Sequence, residues 1–267
     1  MMGNKVDSAY KKMLSHVMEH GELRDNRTGT RTYSVFGYQC EYKIRYDAFP
    51  ILTTKKVNFD AIVHELLWFL SGSQNTDYLK DNNVQIWDAW ADDEGFVGPI
   101  YGAQWRGHGC GEDQIQGVID SINADPMSRR HIVSAWNVSE LHEMALPPCH
   151  MMFQFYVTND GKLDCHLYQR SGDVFLGVPF NVTSYSLLTY MVAQQTGLQP
   201  GRLIHSFGDL HLYENHMAQA LIQLERKPFK LPELNLVKAD TINDYKRDNF
   251  VLNGYKHHSF LKGAVAV

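Results

Sequence analysis

The chain lacks long hydrophobic runs. None of its apolar stretches, in 267 residues, approaches the ~18 that a membrane span needs. The opening "MMGNKVDSAYKKML" has no apolar signal-peptide core and reads as the start of a polar-faced helix. A cytoplasmic protein without membrane association is therefore expected. Cysteine is scarce. Cys40, Cys110, Cys149 and Cys165, 4 in all, make no disulfide scaffold in a chain this long. No Cys-x-x-Cys spacing occurs, and the neighbours Cys149-His150 and Cys165-His166 point to opposite faces of any strand that carries them. No metal is expected. A basic excess is missing too: 25 Lys+Arg against 30 Asp+Glu give a net charge of -5. That argues against a general nucleic-acid binder, and RNA binding is not predicted. A small anionic ligand remains open, because a few arginines suffice for one phosphate. Without repeats, low-complexity tracts or a Ser/Pro-rich linker, residues 1–267 read as one domain.

What is present is a mixture of helical and strand periodicity. Apolar spacing predicts helices over 8–19, through "DAIVHELLWFLSGS" with Asp60 as N-cap and Ser71-Gly72 as stop, and through "EDQIQGVIDSINADP" up to Pro126. "SYSLLTYMVAQQTGL" predicts a buried helix stopped at Gly197, and "ENHMAQALIQLERKP" another closed by Pro228. Strands are expected after Gly29, in "RRHIVSAWNV", and as a hairpin in "CHMMFQFYVTNDGKLDCHLYQRS". Without strict βαβ alternation this is α+β.

The hairpin locates Cys149. A loop at 159–161 with Gly161 left-handed puts Thr158 opposite Lys162 and pairs Phe153 with Leu167, Phe155 with Cys165 and Val157 with Leu163. The partners match in polarity. Extended back, the register sets Cys149 opposite Ser171 with Arg170 beside the thiol, where a guanidinium favours the reactive thiolate. The competing reading continues the Phe153/Phe155 face and makes Cys149 a core filler, since unpaired cysteine is often buried. Pro147-Pro148 end regular pairing just before it and weaken that reading. Glu65, inside "AIVHELLWFL", is either on a wet helix edge or buried with a raised pKa suited to proton transfer. Arg129-Arg130 reads as a solvated loop or an anion site, and Asn181 as a helix N-cap or a ligand amide. His211 and Tyr213 alternate onto one strand face.

The long strings "LPPCHMMFQFYV", "LYQRSGDVFLGVPFNVTSYSLL" and "FGDLHLYENH" closely resemble the thymidylate synthase family of the folate-dependent, cysteine-nucleophile class. "DNRTGTRTYSVFG", "HELLWFLSGS", "NNVQIWDAWADDEGFVGPIYGAQWR", "DPMSRRHIVSAWNV" and "KGAVAV" follow the same order, so the likeness runs essentially end to end. The resemblance implies an α+β fold with a mixed sheet packed by helices, one sheet face forming a homodimer interface. It implies conversion of dUMP and the co-substrate 5,10-methylenetetrahydrofolate to dTMP and dihydrofolate, without metal. By resemblance Cys149 is the nucleophile. Glu65 and Tyr101 assist proton transfer, Asn181 selects uracil through its paired donor and acceptor, and Asp209 joins the catalytic set. Arg27 and Arg170 bind phosphate, with Arg129 and Arg130 reaching across the dimer. Gln169 orients neighbours, Ser171 adds a phosphate or arginine contact, and His211 and Tyr213 hold the 3'-hydroxyl. Asp173 and Gly177 hold the pterin; Ile86, Trp87, Trp90, Leu146 and Phe180 form the folate wall. Lys55 touches the folate tail, and Ala266 belongs to the closing C-terminus.

Departures from the family pattern are Asn26 where Asp is common, Val57-Asn58-Phe59-Asp60 after "TTK", Gly172 where Ala or Cys is common, and Thr183 and Ser186 where alanines are common. The polar pair Thr183 and Ser186 would admit water near the pyrimidine. That keeps a dUMP hydroxymethylase as the alternative activity. A non-catalytic nucleotide- or RNA-binding protein on the same scaffold is the alternative from another class, and it would not need the thiol.

Overall fold

The computed structural model describes residues 4–107 and 111–266; Cys110 and Val267 lie outside them. The backbone begins with α1 (Lys5–His20), capped by Asn4, whose side chain accepts from the Asp7 amide at 2.9 Å. Asp7 is fully buried and takes the amides and hydroxyls of Thr53 and Thr54 at 2.6–3.2 Å. This carboxylate ties the segment before Lys55 to α1, satisfying donors that would otherwise be stranded in the core.

Strands β1 (Glu22–Arg24), β2 (Thr32–Lys43), β3 (Ile132–Ser134), β4 (His150–Val157), β5 (Lys162–Asp173) and β6 (Gln199–Tyr213) form one sheet in the order β1-β2-β6-β5-β4-β3. Its neighbours are antiparallel except β5 and β6. A parallel pair needs a crossover, which α6 (Gly177–Gln195) supplies. The mixed sheet packed with helices is the expected α+β architecture. Register divides its faces. The row Val133–Phe153–Leu167–His205 is completely or almost completely buried. The next row outward on the opposite face, Ser134–Met152–Tyr168–Ser206, leaves Met152 and Tyr168 exposed, as are Ile132 and Tyr156.

Helices cover only the buried face. α6 is apolar nearly all round, and its Thr183, Ser186 and Thr189 hydroxyls bond carbonyls of the preceding turn at 3.1, 2.7 and 2.7 Å, which satisfies them in apolar surroundings. α6 begins at Gly177, earlier than the apolar run from Ser184 implied, so Asn181 lies inside the helix and is not its cap. α2 (Phe59–Ser71) is capped by Asn58, whose side chain accepts from the Ala61 amide at 3.2 Å. Asp60 is already in the first turn, where it pairs with Arg247, so the expected Asp60 cap is corrected by two positions. Gly72 ends α2 with φ 71°, as the sequence indicated.

After α3 (Asp77–Asp81), the short α4 (Tyr101–Trp105) presses on α2. A Cβ at Gly102 would lie 2.3 Å from the Phe69 carbonyl oxygen, so only glycine permits the approach that brings Tyr101 against Phe69. α5 (Gln114–Ala124), α7 (Met217–Glu225) and the small hairpin β7 (Glu233–Leu236) with β8 (Phe250–Asn253) complete the chain. No described helix is long and apolar enough to cross a membrane.

Candidate active site

The β4–β5 hairpin has the expected turn. Gly161 takes φ 75°, Thr158 and Lys162 pair at 2.8 Å, and Phe153, Phe155 and Val157 face Leu167, Cys165 and Leu163. The register then shifts by one between His150 and Met152. Cys149 consequently meets Arg170, whose amide donates to the Cys149 carbonyl at 2.8 Å, and not Ser171. An irregularity of this kind re-aims side chains without breaking the sheet.

The shift sets a guanidinium over a thiol. Arg170 Nε donates to the Pro148 carbonyl at 2.9 Å and Nη2 to the Pro147 carbonyl at 2.7 Å, leaving Nη2 3.9 Å from Cys149 Sγ. The two prolines, unable to donate, thus serve as acceptors that fix the arginine. Its guanidinium also lies 5.6 Å from the Trp136 ring centre. On the other side, the Cys149 amide donates to Tyr101 Oη at 2.8 Å. Burial pushes the Cys149 thiol up, while Arg170, Tyr101 and Arg27 pull it back. The expectation that Arg170 favours the thiolate holds as a direction; the net shift is upward because loss of solvent outweighs it. The core-filler role belongs to Cys165, wholly buried, with a thiol pushed to about 12 by burial. Cys149 is only half-buried.

Glu65 faces the same cluster. Trp87 Nε1 donates to its carboxylate at 2.9 Å, and burial raises its pKa to about 7. The side chain keeps some exposed surface, but the protein atoms packed around the carboxyl dominate its ionisation. The Trp87 bond and the raised pKa favour the buried reading of Glu65 over the wet helix edge. Tyr101 is buried and stacks on His150 at 4.0 Å. His150 in turn bonds Tyr185 Oη at 2.8 Å, and burial depresses its pKa to about 3, so it is a neutral hydrogen-bonding ring.

Asn181 projects from α6, and its Oδ1 accepts from Gln169 Nε2 at 3.1 Å. Gln169 also donates to the Ser171 carbonyl at 2.9 Å. Asp173 Oδ1 caps the turn into α6, accepting from the Phe175 and Leu176 amides at 2.8 and 3.1 Å. A methyl at Gly177 would make ordinary contact with Asn181 and Asp173, at 3.7 and 3.9 Å, so internal packing does not demand glycine there. On β6, Asp209 bonds His211 at 2.9 Å and lies 3.9 Å from Arg24. Burial works to raise Asp209, but His211 and Arg24 outweigh it and its pKa falls. The His211 and Tyr213 rings meet at 5.4 Å, consistent with one strand face. Burial and Asp173 raise the Tyr213 hydroxyl, against Thr28 and Arg27.

Arg27, Arg129 and Arg130 are exposed, and among the described residues none of them forms an ion pair. Trp87 is buried beside half-buried Trp90, with ring centres 5.7 Å apart; Ile86, Leu146 and Phe180 are likewise half-buried against the core. Ala266 is half-buried near the C-terminus. The tail is pinned where His216 Nε2 meets the Ala264 carbonyl at 2.9 Å and Gln219 meets that of Lys262 at 3.0 Å. Lys55, expected at the folate tail, has its ammonium turned inward. It is 5% exposed, bonded to the Phe175 carbonyl and over that ring at 3.8 Å. Burial lowers its ammonium to about 7 against the pull of Asp173, so it is a structural group inside the protein.

The departures have structural accounts. Asn26 closes its own turn, accepting from the Thr28 amide at 2.9 Å and donating to the Thr30 carbonyl at 2.7 Å, the second being a bond Asp could not make. Thr183 and Ser186 are wholly buried with their hydroxyls spent on the helix, so they do not present polar groups to a ligand. Sequence reasoning missed Trp136, His150 and His205. A histidine in an apolar alternating strand was the available signal. His16 and His20, at metal-ligand spacing on α1, stack at 4.6 Å, and no group of three or more potential ligands forms among the described residues.

The thymidylate synthase family model matches residues 8–267, and the chain belongs to that family.

Proposed function

We propose that this member of the thymidylate synthase family methylates dUMP reductively. Its products are dTMP and dihydrofolate, and 5,10-methylenetetrahydrofolate is both one-carbon donor and reductant. The observation that carries the reading is the half-buried Cys149 thiol 3.9 Å from Arg170, in one cluster with Tyr101 and Glu65. Pyrimidine C5 is a poor nucleophile. Addition of the Cys149 thiolate to C6 makes C5 enolate-like, which is covalent catalysis. Phosphate binding by Arg27 and Arg170 places the dianion of the substrate beside the thiol, and Arg129 and Arg130 of the partner subunit complete that site. Tyr213 and His211, the latter fixed by Asp209, hold the 3'-hydroxyl. Asn181 pairs with uracil O4 and N3–H. Glu65, half-ionised near neutral pH, gives and takes the proton at the O4 side, and Tyr101 orders the water that removes the C5 proton.

The folate supplies the methylene group and the hydride. Its binding surface is the Ile86, Trp87, Trp90, Leu146 and Phe180 wall, with Asp173 at the pterin and Gly177 leaving room for it. Ala266 and the tail close over both ligands. That Thr183 and Ser186 turn their hydroxyls into the helix supports a dry site and therefore hydride capture. Dimerisation through the open sheet face is supported by exposed Ile132, Met152, Tyr156 and Tyr168, an apolar surface that calls for a partner.

The test follows both products. Appearance of dTMP together with dihydrofolate is expected. Hydroxymethyl-dUMP with unoxidised tetrahydrofolate would assign the hydroxymethylase activity instead. 5-Fluoro-dUMP with the folate should trap an adduct on Cys149, and a mass spectrum locating it elsewhere would overturn the nucleophile.

A further inference from the structure

We infer that His205 is a positioning residue that locks the Asn181 amide in the orientation that reads uracil and refuses cytosine. The inference rests on the assignment of Asn181 to the base edge. An asparagine amide is nearly symmetric in shape. With Nδ2 toward ring position 4 and Oδ1 toward N3–H it suits uracil; turned over, it offers Oδ1 to the amino group and Nδ2 to N3 of cytosine. An unrestrained Asn181 would therefore accept both bases.

Restraint comes from two residues behind it. Gln169 sits between the Ser171 carbonyl, at 2.9 Å, and Asn181 Oδ1, at 3.1 Å. The carbonyl can only accept, so the end of Gln169 facing it is the NH2 group. The same NH2 meets Asn181, which must then present Oδ1. Gln169 Oε1 points the other way, 2.8 Å from His205 Nε2, so His205 carries its proton on Nε2. His205 is wholly buried, and its Nδ1 has no partner among the described residues. The Nε2–H tautomer leaves a lone pair on that nitrogen and avoids stranding a donor. Were His205 to lose the Nε2 proton, its lone pair would face Gln169 Oε1, and the Ser171 carbonyl alone would hold Gln169, and through it Asn181, in this orientation.

The imidazole is itself packed against a ring, tilted 32° to it. The Phe207 ring lies over it at 3.9 Å, in space that a Cβ at Gly172 would enter, 2.8 Å from Phe207 Cδ1. Gly172 makes room for Phe207, Phe207 fixes His205, and His205 fixes the two amides.

The experiment measures dissociation constants of dUMP and dCMP for His205→Leu and His205→Gln. Loss of the donor in His205→Leu should narrow the dUMP-over-dCMP preference about tenfold, the worth of one buried hydrogen bond. His205→Gln, which returns a donor at similar reach, should restore it. A merely structural role would weaken both nucleotides alike, and an unchanged preference overturns the relay. If His205→Leu does not fold, nitrogen NMR of the wild-type imidazole decides: a proton on Nε2 is expected, one on Nδ1 overturns the proposal. Asn181→Asp separates the two readings. If it shifts preference toward dCMP while His205→Leu does not, the relay fails alone. If it shifts nothing, the base-edge assignment fails and takes the relay with it.

Discussion

Arg170 holds Cys149 twice, through its amide at 2.8 Å from the Cys149 carbonyl and through a guanidinium nitrogen 3.9 Å from the thiol. The second interaction is the largest of those opposing the upward push of burial on the thiol. Arg170→Leu should therefore raise the pH at which iodoacetamide alkylates Cys149. An unmoved alkylation profile would leave Arg170 only its phosphate and backbone contacts. The same substitution strands the Pro147 and Pro148 carbonyls, so a loss of about 1–3 kcal/mol in urea unfolding is expected alongside.

Glu65 has the opposite linkage from a salt-bridged carboxylate. Its pKa rises from 4.5 to about 7 on burial, so the folded state binds more protons than the unfolded chain between those values. Stability contributed by this group is present at low pH and falls as pH rises through that window. Glu65→Gln keeps an acceptor for Trp87 and removes the titration. Relative to wild type it should gain about 1–3 kcal/mol of unfolding free energy between about pH 5 and about pH 8, while turnover drops by about a hundredfold or more. Parallel denaturation curves at both pH values would contradict the buried ionisation.

The sequence made the hairpin readable because its polarity pairs and turn glycine agree with each other. It placed Cys149 beside Arg170 for that reason. It could not show the one-residue shift at His150, which accompanies the Cys149 amide's bond to Tyr101 Oη and acceptors, the Pro147 and Pro148 carbonyls, that have no side-chain signature. The start of α6 was misplaced because Gly177-Val178-Pro179-Phe180 carries weak helical signals, and the helix is stabilised there by tertiary burial. Lys55 is expected at the folate tail by resemblance alone; the burial of its side chain goes with the Asp7 anchoring of Thr53 and Thr54, formed across distant residues that no local pattern joins. The relay behind Asn181 joins β5, β6 and α6, three elements whose adjacency no local pattern reveals.

Sharing of Arg129 and Arg130 across a dimer has a direct test. Both are exposed, and Gln154 holds only the Arg129 carbonyl, at 3.0 Å, which leaves both guanidinium groups outside the subunit's own ion pairs. Cys149→Ser and Arg129→Ala homodimers should each be nearly inactive. Mixed after reversible unfolding, they should recover about a quarter of wild-type activity, because half the dimers are mixed and each of those holds one complete site. No recovery, in mixtures shown to contain heterodimer, would assign Arg129 to its own subunit, and the same mixing with Arg130→Ala tests Arg130.

Gly172 and Phe207 should behave as a coupled pair. A Cβ on residue 172 would lie 2.8 and 3.0 Å from Phe207 Cδ1 and Cε1, well inside van der Waals contact. Phe207 is 2% exposed and packed over His205, so the ring has nowhere to swing without breaking that stack. Gly172→Ala alone is therefore expected to cost about 1–3 kcal/mol by overpacking. Phe207→Val creates space and carries its own cavity cost, but in that background the added methyl fills a void. The double variant should then be more stable than the sum of the single effects by about 1–2 kcal/mol, a coupling that urea unfolding of all four proteins measures. Strict additivity would mean that the backbone of β5 moves to absorb the methyl. In that case the glycine would be a feature of the strand's bend, and the side chains commonly found at its position would be compatible with Phe207 after all.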